Sequence, residues 1–157
     1  PLIVAVQNNQ SESAQLLLEN GAAVDLPDGN GNVALIYAVK ISPDIVELLL
    51  EKGATDVDSK DRYGNAALIH AVSTLSSPTD IVKVLLEQGA NVNIVSPDGT
   101  PALILAIQNR WEESAQLLIE LGANVDSTDR YGNAALIHAV KQSSLATVKS
   151  LLEKGAS

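Results

Sequence analysis

Two histidines, His70 and His138, are the residues of this 157-residue chain best suited to acid–base or metal chemistry. They occupy the same position in two copies of a 12-residue sequence, DRYGNAALIHAV, which begin at Asp61 and Asp129. The chain contains no cysteine, and neither histidine has a second histidine at a metal-ligand spacing. A catalytic triad also requires a base that is placed by tertiary structure. We therefore predict that both histidines lie on helix surfaces, and that the chain has no catalytic residue and no metal site.

Two further segments resemble ligand-binding motifs. Residues 29–34, GNGNVA, fit the glycine fingerprint of dinucleotide-binding loops, but that motif requires a preceding strand and a βαβ unit around it. The acidic residues 56–61, DVDSKD, place Lys60 at a ligand position of an EF-hand and Asp61 where that loop requires glycine. The sequence therefore predicts turns at both places and no cofactor.

Composition restricts the partners that the chain can bind. The formal net charge is −9, with 10 basic and 19 acidic residues. This sign opposes binding to duplex nucleic acid, which depends on cationic neutralisation of phosphates. The longest apolar runs, such as 102–107, are far shorter than the roughly 20 residues that cross a bilayer, and no secretion leader is evident. We expect neither a nucleic acid duplex nor a membrane as partner.

The sequence is built from internal repeats. Leucines at equivalent positions follow one another at spacings of 33, 33, 35 and 33 residues, namely Leu2, Leu35, Leu68, Leu103 and Leu136. Each unit has a turn ending in glycine, a short apolar segment, a polar break and an amphipathic segment that stops at Gly-Ala. The pattern predicts one all-α domain over residues 1–157, with a partial first unit at 1–27 and four units at 28–60, 61–95, 96–128 and 129–157.

This pattern resembles the ankyrin repeat family over the whole chain. The family signature is matched by Asp61, Gly64, Leu68 and Ala71, and by residues 85–93, LLEQGANVN. The resemblance implies a solenoid of helix–turn–helix units with protruding turns.

Three departures from the family pattern are informative. The family's Thr and His, which bond to each other, are replaced together, by Val33, Ala66, Pro101 and Ala134 and by Ile36, Ile69, Ile104 and Ile137. Replacing both partners leaves no buried donor unpaired. The glycine that links the two helices is replaced by Asn9, Arg110 and Ser143, and the third unit has two extra residues in its bend, at 73–79.

The resemblance also implies a function. Ankyrin proteins usually bind other proteins through a concave groove inside the cell, so we expect a non-catalytic, intracellular and cytoplasmic module whose partner is an unidentified protein. In a repeat array the positions fixed in every unit are scaffold, and variable positions are free to contact a partner. The variable positions at the turns and first-helix ends are Asn30, Asn32, Lys40, Arg62, Tyr63, Asn65, Asp98, Thr100, Gln108, Arg110, Trp111, Arg130, Tyr131, Asn133 and Lys141.

Three of these residues are candidate hot spots, because interface hot spots are enriched in Trp, Tyr and Arg. Trp111 lies in a bend, where a role in the core is least expected, and Tyr63 and Tyr131 follow arginines in turns. A tyrosine that merely packs on its neighbour is the alternative. The repeated glutamate column is predicted to form a solvated outer face and consists of Glu19, Glu51, Glu87, Glu120 and Glu153.

Two alternative functions remain open. The sequence ALIHA is loosely similar to segments of the ankyrin domains of 2′,5′-oligoadenylate-dependent ribonucleases, which suggests a sensor of a phosphorylated nucleotide-like ligand. The duplicated 12 residues also fit an engineered or purely structural array. Because the terminal units lack polar capping, we further expect additional repeats or end-to-end self-association. Formal charges of −3, −3, −1, −4 and +2 along the five units would orient a partner in the groove.

Overall fold

The computed structural model describes residues 1–74 and 78–157. Within these residues the chain forms ten helices, arranged as five consecutive pairs: α1 (Leu2–Gln7) and α2 (Ser11–Glu19), α3 (Ala34–Ala38) and α4 (Pro43–Glu51), α5 (Ala67–Thr74) and α6 (Thr79–Glu87), α7 (Ala102–Gln108) and α8 (Glu112–Glu120), α9 (Ala135–Lys141) and α10 (Leu145–Glu153). In the same ranges β structure is limited to isolated bridges, Lys60 with Ala66, Val95 with Pro101 and Thr128 with Ala134.

The pairs stack into two layers. The first helices of the pairs (α1, α3, α5, α7 and α9) pack on one another in chain order, and the second helices (α2, α4, α6, α8 and α10) do the same. We call these the first-helix layer and the second-helix layer. Each helix pair contacts its neighbours in sequence, so the predicted all-α solenoid is confirmed.

The core lies between the two layers and is aliphatic. Leu68 and Leu103 of the first helices and Leu85 and Leu118 of the second helices are all at most 1% exposed. Each fully buried leucine contributes about 1.5–3 kcal/mol through the hydrophobic effect. Short helices of five to nine residues are marginal alone, and this burial is what stabilises them.

The second helices end as the Gly-Ala pattern predicts. At Gly53, φ is +95°, which an L side chain adopts only at a cost. This turn lets the Gly53 amide donate to the Leu50 carbonyl and the Ala54 amide donate to the Leu49 carbonyl. Two carbonyls at the helix end are thereby satisfied.

The bends that lack the family's glycine keep a glycine-like conformation. Asn9, Arg110 and Ser143 have φ values of +54°, +61° and +58°. These side chains therefore hold a left-handed backbone that costs roughly 1–2 kcal/mol relative to the right-handed form. The two extra residues predicted in the bend at 73–79 fall partly on 75–77, which lie outside the described residues.

The paired replacement of the family's Thr and His puts apolar side chains at buried positions. Ala66 and Ile69, which stand at these positions in the third pair, are 1% and 2% exposed. Trp111 Nε1 is the one buried side-chain polar atom without a hydrogen-bond partner in the part of the chain that the structure describes. The prediction that this replacement strands no buried donor is confirmed for those residues.

Candidate partner-binding surface

Three of the turns before the first helices are held by an aspartate. In the third pair, Asp61 Oδ1 accepts from the amides of Tyr63 and Asn65, at 2.9 Å each. Asp28 and Asp129 bond to the corresponding amides of their own turns. The tips of these three turns, Asn30, Arg62-Tyr63 and Arg130-Tyr131, are therefore supported by a hydrogen-bonded backbone.

The second carboxylate oxygen of each of these aspartates binds a side chain from the following helix. His70 Nε2 lies 2.7 Å from Asp61 Oδ2, and His138 Nε2 lies 2.8 Å from Asp129 Oδ2. In the second pair, Tyr37 Oη donates to Asp28 Oδ2 at 2.6 Å. The fourth pair has Ser96 in the aspartate position, and the residue nine places later is Leu105.

The prediction that His70 and His138 lie on helix surfaces is wrong. The His70 and His138 side chains are 9% and 11% exposed, and their partner carboxylates are 4% exposed. Each turn folds back over its own first helix and covers the residue that lies nine positions after the aspartate. Both histidines therefore serve the turns.

The pKa of Asp61 reflects this environment. Burial alone would raise the pKa, but hydrogen bonds from the Asn65 amide, His70 and the Tyr63 amide together hold it below the ordinary value. Burial lowers the pKa of His70, against the opposing hydrogen bond to Asp61. At neutral pH the pair is therefore a neutral imidazole that donates to a carboxylate.

Two turn tips present an arginine and a tyrosine. Tyr63 and Tyr131 are 64% and 73% exposed. The Arg62 guanidinium lies 4.6 Å from the centre of the Tyr63 ring, and the Arg130 guanidinium lies 4.7 Å from that of Tyr131. Each arginine also donates to its tyrosine hydroxyl. Cation–π contact and hydrogen bonding order these exposed side chains, which lowers the entropy cost of binding a partner.

The residues after the turn glycines are buried or half-buried, and their contact with a partner stays a prediction. Thr100 is 4% exposed, and Asn32, Asn65 and Asn133 are half-buried. Asn32 donates to the Tyr37 hydroxyl, and its Oδ1 accepts from the Arg62 amide of the next turn. This column supports the turns from inside.

The ends of the first helices are open to solvent at Lys40 and Lys141. Gln108 is half-buried, with its amide 3.4 Å from the His138 ring nitrogens. Arg110 is exposed and donates from Nε to Gln142 Oε1 at 2.8 Å. A cleft of about 220 Å³ separates the bends of the fourth and fifth pairs and is lined by Arg110, Glu112, Gln142, Ser143, Ser144 and Thr147.

Trp111 lies at the edge of the core, so the expectation that it has no role there is met only in part. Its ring is partly buried and packs against the hydrophobic core, and its Nε1 is buried. The reason is local: Trp111 immediately precedes α8, where the chain turns inward to begin the second helix. A contact between Trp111 and a partner stays a prediction.

A second set of bonds between pairs has no counterpart in the sequence reasoning. Asp25 Oδ2 accepts from the Thr55 amide, and Asp58, Asn93 and Asp126 accept from the amides of Asn91, Asn124 and Ser157. We call this the Asx ladder. Its signal is the Asp or Asn that follows Val, four residues after Gly21, Gly89 and Gly122 and five residues after Gly53.

The repeated glutamates lie on the second-helix layer, and all five are exposed. Glu19 Oε1 lies 3.8 Å from Nζ of Lys52, which follows the second helix of the next unit, so the two side chains form an ion pair. In residues 1–74 and 78–157, no three histidine, aspartate or glutamate side chains are grouped so that they could hold a metal ion. Among the same residues, no helix has the length and apolarity needed to span a membrane.

The chain belongs to the ankyrin repeat family. The family described as "Ankyrin repeats (3 copies)" matches residues 2–96 and 76–157. One similar protein is "E3 ubiquitin-protein ligase KEG" of Arabidopsis thaliana, which is 30% identical over 116 residues. These residues are 73% of this chain and 7% of that protein, so the chain spans a small part of its relative. Ankyrin repeats are a common protein–protein interaction module.

Proposed function

We propose that this chain is a non-catalytic module that binds a partner protein through its turn tips and the ends of its first helices. The observation that carries the proposal is the pair of ordered arginine–tyrosine tips, since 64% and 73% exposure is high for ordered aromatic side chains. The aspartates whose carboxylates accept hydrogen bonds from the turn amides support this interpretation. An intracellular, cytoplasmic partner is part of the proposal and is suggested by the family resemblance.

The first experiment selects peptides from a random phage-displayed library on the purified domain and measures their affinities by fluorescence anisotropy. Replacing both tyrosines, Tyr63→Ala with Tyr131→Ala, should weaken the selected peptides by about thirtyfold, the effect of a 2 kcal/mol hot spot. The matched control is Glu51→Ala with Glu87→Ala on the second-helix layer, which should change affinity less than twofold.

The tyrosine pair is a cleaner test than Trp111. Removing a ring that packs on the core would also lower stability, so a loss of binding by Trp111→Ala is interpretable only beside a melting curve. If the glutamate variant abolishes binding and the tyrosine variant does not, the binding face is the second-helix layer and the proposal is wrong. Selective binding of oligoadenylate in the same assay would favour the ligand-sensor alternative.

A further inference from the structure

The charges of this protein are segregated by layer, although its net charge is −9. The second helices carry eleven acidic residues, with two in α2, three in α4, two in α6, three in α8 and one in α10. The described first helices carry none. Counting charge by repeat unit along the chain hides this division, because each unit contributes to both layers.

We define the basic face as the turns (residues 28–33, 61–66, 96–101 and 129–134), the first helices and the bends that follow them. In the described part of the chain, the exposed cations of this face are Lys40, Arg62, Arg110, Arg130 and Lys141. Three of its four aspartates, Asp28, Asp61 and Asp129, are at least half-buried, and each carboxylate is bonded both to its own turn and to the helix that follows. Asp98 is the exposed carboxylate there.

The second-helix layer lacks a comparable set of available cations. Three of its four lysines, Lys52, Lys83 and Lys149, lie within 4 Å of a glutamate, namely Glu19, Glu87 and Glu153. Two of these pairs join residues four positions apart on one helix. The fourth lysine, Lys154, is exposed at the end of α10 and has no carboxylate within 4 Å among the described residues. The second-helix layer thus pairs most of its lysines with its own glutamates, whereas the basic face exposes five cations and one carboxylate among the described residues.

The two arginine tips differ in their surroundings. Arg130 Nη1 lies 3.2 Å from Asp98 Oδ2 of the preceding turn, so its charge is partly compensated. In the preceding turn of Arg62, the position equivalent to Asp98 is the neutral Asn30. No carboxylate of the described residues lies within 4 Å of the Arg62 guanidinium.

The turns of the third, fourth and fifth pairs form a continuous edge. A Cβ at Gly64 would lie 3.3 Å from Pro97 Cγ, and Arg130 contacts Asp98, so adjacent turns touch. Packed helices are about 8–10 Å apart, which places the two arginine tips roughly 16–20 Å from each other. An extended peptide, at about 3.3 Å per residue, covers that distance with five or six residues.

We propose that the basic face binds an extended acidic segment of a partner protein. Carboxylates of the segment pair with Arg62 and Arg130, and neutral residues pass over Pro97-Asp98, where a carboxylate would be repelled. The tyrosine rings contact the aliphatic parts of the segment. This inference rests on the proposed function and specifies the chemistry of its partner.

The test measures the anisotropy of a fluorescein-labelled peptide, Gly-Glu-Glu-Ser-Gly-Ser-Gly-Glu-Glu, with the whole chain in 20 mM and 200 mM NaCl. The companion peptide has glutamine in place of every glutamate. We expect the acidic peptide to bind at least tenfold more tightly than the glutamine peptide, and to weaken at the higher salt concentration because the contact is exposed and ionic.

Two charge-reversed variants locate the contact. Arg62→Glu with Arg130→Glu should weaken the acidic peptide at least tenfold, whereas Lys83→Glu with Lys149→Glu should change its affinity less than twofold. Both variants alter net charge equally, and Lys83 and Lys149 are exposed on the opposite layer. A third variant, Asp98→Asn, should strengthen binding about threefold, because it removes the repelling carboxylate but keeps an acceptor for the turn.

The outcomes separate this inference from the function on which it rests. Absence of acidic-peptide binding, equal binding of the glutamine peptide, or equal loss in both reversed variants would overturn the acidic-segment proposal. Equal or tighter binding of a ten-nucleotide oligoadenylate that is lost on arginine reversal would also overturn it and indicate a nucleotide ligand. If library-selected peptides depend on the tyrosines but contain no excess of acidic residues, the protein-binding function stands and this inference fails.

Discussion

The bond between Asp61 and His70 can be tested against a natural control inside the same chain. The fourth pair has Ser96 and Leu105 where the third has Asp61 and His70. Ser96 Oγ still accepts from the Thr100 amide at 3.1 Å, so the serine holds its turn without a buried carboxylate. We therefore expect that either member of the Asp61–His70 pair is costly to change alone, and that both can be changed together at a smaller cost.

The expected magnitudes follow from the burial of the two groups. The side chains of Asp61 and His70 are 4% and 9% exposed and their atoms are 2.7 Å apart, so the bond is a buried one to a charged acceptor. Such bonds contribute about 1.5–3 kcal/mol, and leaving one partner unsatisfied costs a similar amount. His70→Leu should cost about 2–3 kcal/mol, and Asp61→Ser about the same.

The double variant should cost only about 1–2 kcal/mol, which gives a coupling of about 2–5 kcal/mol between the two sites. The measurement is urea denaturation followed by circular dichroism at pH 7.5, where His70 is neutral, with unfolding free energies from linear extrapolation. If the losses of unfolding free energy in the two single variants simply add in the double variant, the carboxylate and His70 are not coupled and this reasoning is refuted.

Three further predictions concern stability. The lowered pKa of His70 means that the unfolded chain binds a proton more readily than the folded chain, so stability should fall as pH drops below about 6.5. His70→Tyr, which copies the bond between Tyr37 and Asp28, should remove this decline in urea melts measured at several pH values. The variant should then lose stability only near pH 4 and below, where the aspartates with lowered pKa protonate (Asp28, Asp61, Asp98 and Asp129). Leu85→Ala and Leu118→Ala should each lower the free energy of unfolding by about 2–5 kcal/mol. Leu151→Ala should lower it less, although all three leucines are fully buried, because the last pair has a described neighbour on one side and can open alone. Equal losses of unfolding free energy at the three positions in denaturant melts would contradict this. Ser143→Gly should raise stability by up to about 1 kcal/mol by relieving the left-handed φ of +58°, whereas Ser143→Val should lower it, as thermal melts would show.

Local features of the fold could be predicted from the sequence because they depend on neighbouring residues. The helix stops at Gly-Ala follow from short-range backbone preferences, because glycine adopts a positive φ without a steric penalty. The two-layer stack follows from the 33-residue spacing, since each unit has apolar residues that only a neighbouring unit can cover.

Features that depend on how the turns fold back could not be predicted in the same way. Periodicity places His70 on a helix but does not show that its own turn covers it, and the identity of Thr100 does not show that its side chain points inward. The burial of Trp111 depends on the direction in which the bend enters α8. By contrast, the absence of acidic residues from the described first helices is visible in the sequence once the helix bounds are known.

The Asx ladder makes the units interchangeable. Each bond runs from an Asp or Asn side chain of one pair to a backbone amide of the next, and every residue except proline supplies such an amide. This bond therefore needs no matching side chain in the next unit when a unit is duplicated, deleted or exchanged, because it requires only one carboxylate or amide oxygen from the unit before it. Thr55, Asn91, Asn124 and Ser157 already show four different junctions that use this same bond. The array is in this sense open to lengthening by gene duplication, with its partner-contacting tips free to diverge.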